Sequence, residues 1–180
     1  MKKQRVTVYC GSAPGHRPIY MHNAQMLGRE LAARGVGLVY GGANVGTMGA
    51  IADACMAAGG EVIGVIPTTL VEKEVAHHGV TKLHIVASMH DRKALMAELA
   101  RGFIAMPGGA GTLEEIFEVW TWVQIGLHDK PCVLLNLEGF YDALLLQLDH
   151  MEKEGLLRPE VRRKLLVAKT PAEAVALATS

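Results

Sequence analysis

Apolar and polar positions follow two rhythms along this chain, and glycines and prolines mark where one gives way to the other. Short runs of mostly apolar residues lie at 5–10, 37–40, 61–66, 83–87, 103–106 and 132–137. Turn residues close them, Gly11-Ser12 after the first, Gly41-Gly42 after the second, Pro67 after the third and Pro107-Gly108 after the fifth, so each run predicts a strand. The intervening stretches predict helices. One spans 18–34, with Pro18 in its first turn and Gly35 just past its end. A second opens from the glycine-rich turn 41–49 and runs through Ala58. A third starts at Ser88-Met-His-Asp91, a capping-box pattern, and runs to Arg101. A fourth covers 112–127, where Leu113, Ile116, Phe117 and Trp120 recur at i, i+3, i+4 and i+7 to form one apolar face. A fifth covers 141–154. Residues 68–81 lack periodicity and read as a long polar connection of the kind that is often functional. The tail, with Pro159 and Pro171, predicts two short helices.

Short apolar strands alternating with helices imply an α/β fold with a parallel sheet covered by helices on both faces. Such sheets bind ligands beyond the carboxyl ends of their strands. The glycine turns at 11, 41–49 and 107–111 all follow strands, so they are expected along one edge of the sheet.

Composition narrows the class of protein. A length of 180 residues suits one domain, residues 1–180, with a sizeable core. Lysine plus arginine and aspartate plus glutamate balance at 18 each, which gives no reason to expect a nucleic acid polymer or a membrane surface as partner. The basic N-terminus leads into a short apolar run that reads as a first strand, not a signal peptide. No apolar run approaches the ~20 residues that span a bilayer. Cys10, Cys55 and Cys132 are far apart and lack metal-ligand spacing, as expected of free thiols in a reducing cytoplasm.

The stretch 103–122, FIAMPGGAGTLEEIFEVWTW, organises the candidate chemistry. Its glycines let backbone approach a ligand closely. The helix that follows presents unpaired N–H groups and a positive dipole end suited to phosphate. Glu114 and Glu115 are expected in its first turn. Thr112 and Glu115 also fit a capping box, a purely structural reading. Arg92-Lys93 near the start of another helix faces an unfavourable dipole, which either an incoming anion or a swing of both side chains out into solvent would relieve. Other chemistries lack their patterns. The first turn, GSAPG, is no dinucleotide fingerprint, and no acid ends the second strand. The P-loop pattern is missing too. His77, His78, His84 and His90 match no zinc spacing, and Cys10 has no identifiable partner base, so it reads as a small buried hydrophobe.

PGGAGTLEE at 107–115, SMHDRK at 88–93 and GGANVGTMG at 41–49 together resemble the LONELY GUY family of cytokinin riboside 5′-monophosphate phosphoribohydrolases, long mislabelled as lysine decarboxylases. The likeness extends from YCGS at 9–12 through WTWVQIGLHDKP at 120–131 to GFYD at 139–142. It implies a Rossmann-like three-layer fold, a homodimer, no metal and no cofactor. The implied reaction is hydrolysis of the N-glycosidic bond of AMP or an N6-modified AMP to free base and ribose 5-phosphate, serving cytokinin activation or AMP salvage. The implied catalytic pair is Arg92 and Glu115. Substrate contacts carry over to Glu74, Arg92, Lys93, Gly109, Ala110, Gly111, Thr112, Leu113, Glu114, Glu115 and Thr121. Ala43 and Thr47 replace a usual glycine and leucine, and Ser88 a usual aspartate. A nucleotide carrier that does no hydrolysis would use the same loop. A decarboxylase would need pyridoxal phosphate on a Schiff-base lysine, and Lys93 is the only lysine near these motifs.

Overall fold

A computed structural model describes residues 4–71 and 76–180. Seven parallel strands form one sheet: β1 (Arg5–Tyr9), β2 (Gly37–Tyr40), β3 (Val62–Pro67), β4 (Lys82–Val86), β5 (Gly102–Ala105), β6 (Cys132–Leu135) and β7 (Leu165–Ala168). Their spatial order is β4-β3-β2-β1-β5-β6-β7. The helices are α1 (Pro18–Ala33), α2 (Gly46–Ala57), α3 (Thr68–Val71), α4 (Met89–Leu99), α5 (Ala110–Gln124), α6 (Asp142–Lys153), α7 (Pro159–Arg162) and α8 (Pro171–Ala178).

The central strands are apolar on both sides because both sides are covered. Val6, Val8, Leu38 and Tyr40 face one core with Leu27 and Leu31 of α1, Ile51 and Cys55 of α2, and Val175 of α8. Tyr9, Val39, Ile63 and Phe103 face a second core with Met96 of α4, Ile116 and Trp120 of α5, and Leu148 of α6. Burying a large apolar side chain contributes roughly 1.5–3 kcal/mol, so the two cores specify which helix face turns inward. Where α1 crosses α2, a Cβ on Gly28 would lie 2.4 Å from the Ile51 carbonyl oxygen, so glycine sets how closely the two helices approach.

The chain moves outward from β1 to β4 and then returns to pair β5 with the other side of β1. This reversal is a topological switch point, and it opens a crevice beyond the carboxyl ends of β1 and β5.

Two expectations need correction. The tail holds a strand between its two helices: β7 pairs in parallel with β6, Cys132 against Leu165 through Leu135 against Ala168. A four-residue apolar run, Leu165–Ala168, is too short for periodicity to separate strand from helix. The connection after β3 also begins with a helical turn, α3. Its far end is tied down by an isolated antiparallel bridge between Ala43 and Ala76. Beside that bridge His77 accepts from the Gly79 N–H through Nδ1 at 3.2 Å, and its Nε2 lies 2.9 Å from Asp53 Oδ1.

Candidate active site

A cleft of about 330 Å³ lies at the switch point. One wall is the loop after β1, Cys10 to Ala13. The opposite wall is the start of α5 with Gly109, Gly111, Thr112, Glu114 and Glu115. Arg92, Met48, Met89 and Leu70 complete the lining. A larger polar groove of about 750 Å³ lies at the amino end of the sheet, beside Gln4, Arg101 and Lys130. It holds no residue of the 41–49, 88–93 or 107–115 motifs, and Lys130 there already donates to the Ala97 carbonyl at 2.7 Å.

The start of α5 differs from the capping-box expectation. Gly109, in extended conformation, precedes the first helical residue, and Thr112 lies inside the helix. The Thr112 hydroxyl folds back over Gly108 so closely that a Cβ there would lie 2.2 Å from Oγ1. Thr112 is thus buried and does not cap. Glu114 and Glu115 fall beyond the first turn, which carries no acid. Among the described residues no side-chain hydrogen bond caps this terminus. Gly109 and Gly111 are exposed, and a Cβ on either would meet nothing within 4 Å. The first N–H groups of α5 and the positive end of its dipole therefore open onto the cleft.

Glu115 belongs to the buried face of α5, together with Thr112, Ile116, Val119, Trp120 and Val123. It is 9% exposed. A carboxylate on an otherwise apolar helix face is costly without a charge or donor to meet it, and such placements concentrate at functional sites.

Arg92 enters from α4, whose N-terminus Ser88 caps by accepting from the Asp91 N–H at 3.1 Å. That cap forms as its sequence pattern predicts. Arg92 is 6% exposed. Its Nε donates to the Val65 carbonyl at 3.0 Å and one Nη donates to the Gly41 carbonyl at 3.0 Å. Relief of the unfavourable dipole thus comes in part from the protein's own backbone, through carbonyls at the carboxyl ends of β3 and β2. A Cβ on Gly41 would sit 2.2 Å from this Nη, so glycine there lets the arginine in. These contacts fix the plane of the guanidinium, a planar fork suited to carboxylate or phosphate.

Cys10 lines the same cleft and feels both charges. Burial pushes its thiol up to about 12, Glu115 adds to the rise, and a hydrogen bond with Thr47 and the charge of Arg92 oppose it. The thiol is protonated at neutral pH and serves as a small wall residue, in line with the sequence reading.

The predicted contacts divide. Arg92, Gly109, Gly111, Thr112, Glu114 and Glu115 gather in the cleft. Ala110 is exposed between two lining residues. Leu113 packs against the second core. Lys93 is outside the lining. Its ammonium bridges Glu114 and Glu118, the latter at 3.1 Å, and the bond to Glu114 foremost raises its pKa. Thr121 is exposed farther along α5. Glu74 lies outside the described residues. Sequence reasoning missed Ser12, Ala13, Met48, Leu70 and Met89. The turn after the first strand was visible, but only the strand order puts it opposite α5. Among the described residues no group of three or more His, Cys, Asp and Glu is arranged to hold a metal ion. No helix among them is long and apolar enough to cross a membrane.

A family model described as "Possible lysine decarboxylase" matches residues 48–178. The chain is 51% identical over 172 residues to a cytokinin riboside 5′-monophosphate phosphoribohydrolase of Rhodococcoides fascians, covering 95% of this chain and 87% of that one. It is 48% identical over 172 residues to the cytokinin riboside 5′-monophosphate phosphoribohydrolase LOG of Oryza sativa subsp. japonica, covering 96% and 71%. Among solved structures, the molybdenum cofactor binding protein of the phototrophic bacterium Rippkaea orientalis superposes with a TM-score of 0.72 at 23% identity, covering 98% and 96%. That likeness carries the fold alone.

Proposed function

The chain belongs to the LONELY GUY family of cytokinin riboside 5′-monophosphate phosphoribohydrolases, and we propose that it hydrolyses the N-glycosidic bond of AMP or N6-modified AMP. The observation that carries this reading is the convergence of Arg92 from α4 and Glu115 from α5 on one cleft, beside an uncapped helix start. Departure of the base builds positive charge on the ribose. The Glu115 carboxylate is placed in low-dielectric surroundings where it stabilises that charge and orients the attacking water. The 5′-phosphate rests on the N–H groups from Gly109 to Thr112. Arg92, held by two carbonyls, orients the anionic substrate at little entropic cost.

The decarboxylase chemistry in the family description does not fit these residues. It requires a lysine that forms a Schiff base, and among the described residues no lysine lines the cleft. A carrier would have no use for a buried carboxylate beside a phosphate site, since such a charge weakens anion binding.

The test is a panel of nucleosides and their 5′-monophosphates followed by chromatography of released base. We expect base and ribose 5-phosphate from AMP or N6-isopentenyl-AMP, and little from adenosine. Equal turnover of adenosine and AMP would remove the phosphate role. Tight AMP binding without base release would favour the carrier.

We also assign the protein to the cytoplasm as a homodimer. Trp122 packs on the second core, while Ile125 and Leu127 nearby are 64% and 68% exposed, apolar area that a second copy would cover. Sedimentation as a monomer at micromolar concentration would contradict the dimer.

A further inference from the structure

We infer that Thr47 is a positioning residue that pins the β1 loop as a wall of the nucleotide cleft, and so sets substrate affinity. This inference rests on the nucleotide reading of the cleft. The Thr47 hydroxyl makes two bonds with one residue of that loop. It donates to the Gly11 carbonyl at 2.9 Å and accepts from the Gly11 N–H at 3.0 Å. Thr47 is 2% exposed, and both bonds are part-buried. The Met48 N–H adds a longer bond to the same carbonyl at 3.3 Å. The neighbouring Gly46, at φ +57, presses on the loop from the same side: a Cβ there would lie 2.3 Å from the Ser12 carbonyl carbon and oxygen. Gly11, Ser12 and Ala13 form the cleft wall facing Gly109 and Thr112. The start of α2 thus holds in place the surface against which substrate is bound.

Because the loop contributes no group to bond breaking, loosening it weakens ground state and transition state alike. That raises KM and leaves kcat nearly unchanged.

Thr47→Val and Thr47→Ser separate this role from bulk stability. Valine keeps the shape and removes the hydroxyl, leaving the half-buried Gly11 N–H without this partner. Serine keeps both bonds. For Thr47→Val we expect KM for AMP to rise about tenfold with kcat within about threefold, the pattern of lost uniform binding. Amide exchange at Gly11 should speed up more than exchange in β1 does. Thr47→Ser should restore both. The Kd of AMP by calorimetry gives the same comparison whether or not base is released, so a failure of the hydrolytic reading remains distinguishable from a failure of this one. A Thr47→Val protein with wild-type KM and Kd overturns the inference. So does a Thr47→Ser protein as impaired as Thr47→Val, or a wild type that does not bind AMP.

Discussion

The joins from β2 to α2 and from β5 to α5 are made of similar material: a buried parallel strand, a run of glycines, and a helix whose N-terminus no side chain caps. The protein fills the first and leaves the second open. In the first join, every glycine presses on protein. Gly41 admits the Arg92 guanidinium, Gly42 at φ +82 packs on Ile66 and Leu83, and Gly46 lies against Ser12. The Gly11 carbonyl takes up the Met48 N–H in the first turn of α2. In the second join, Gly108 makes room for Thr112, but Gly109 and Gly111 adjoin no protein atom that a Cβ would strike. Glycine-rich turns before helices thus take two forms in one fold. Glycine can admit another part of the protein, or it can admit a ligand. Only the neighbours tell which.

The sharpest attack on this distinction is at Glu115, the carboxylate we propose as the catalytic group of the open join. Glu115→Gln preserves size and helix, and Gly109, not Thr112, marks where that helix begins. Turnover should fall on the order of a hundredfold or more, about 2.7 kcal/mol of transition-state stabilisation, with AMP still bound. Near-wild-type turnover in steady-state kinetics would remove the carboxylate from the mechanism.

Alanine exchanges in the two joins should have opposite signatures. Gly46→Ala forces a left-handed backbone on alanine, at roughly 1–3 kcal/mol, and drives its Cβ into Ser12, so thermal unfolding should move down by several degrees. Gly111→Ala meets no protein atom and improves helix propensity by up to ~1 kcal/mol, so stability should hold or rise. Yet its methyl group enters the space assigned to phosphate, and KM for AMP should rise about tenfold, equivalent to ~1.4 kcal/mol. If Gly111→Ala binds AMP as wild type does, the open join is not the phosphate site.

The smallest effect is expected at Lys93. It neutralises Glu114, a cleft residue, from outside the cleft. Lys93→Met should leave that carboxylate uncompensated beside the substrate's phosphate. Glu114 is half exposed, so solvent limits the penalty to ~0.5 kcal/mol, a KM increase of about twofold. A hundredfold loss measured for this variant would instead place the lysine in direct contact with substrate.

The sequence by itself determined the layers and the chemistry. Six of the seven strands follow from short apolar runs, four of them closed at once by glycine or proline. The inward face of α5 follows from periodicity, because a face that must be buried repeats every 3.6 residues. Arg92 and Glu115 were legible from their motifs, and the Ser88 cap from a local pattern that needs no distant partner. Tertiary structure decided what depends on contacts between distant segments. β7 exists because β6 offers an edge to Leu165–Ala168, a run with no rhythm of its own. The start of α5 moved upstream from Thr112 because that residue is buried over Gly108. Ser12, Ala13 and Met48 face the motif residues because β1 lies between β2 and β5, and strand order is not written in the local pattern. The difference between the two glycine joins is of this kind. A glycine codes only for the absence of a side chain, and what occupies that space is decided by the parts of the chain that fold against it.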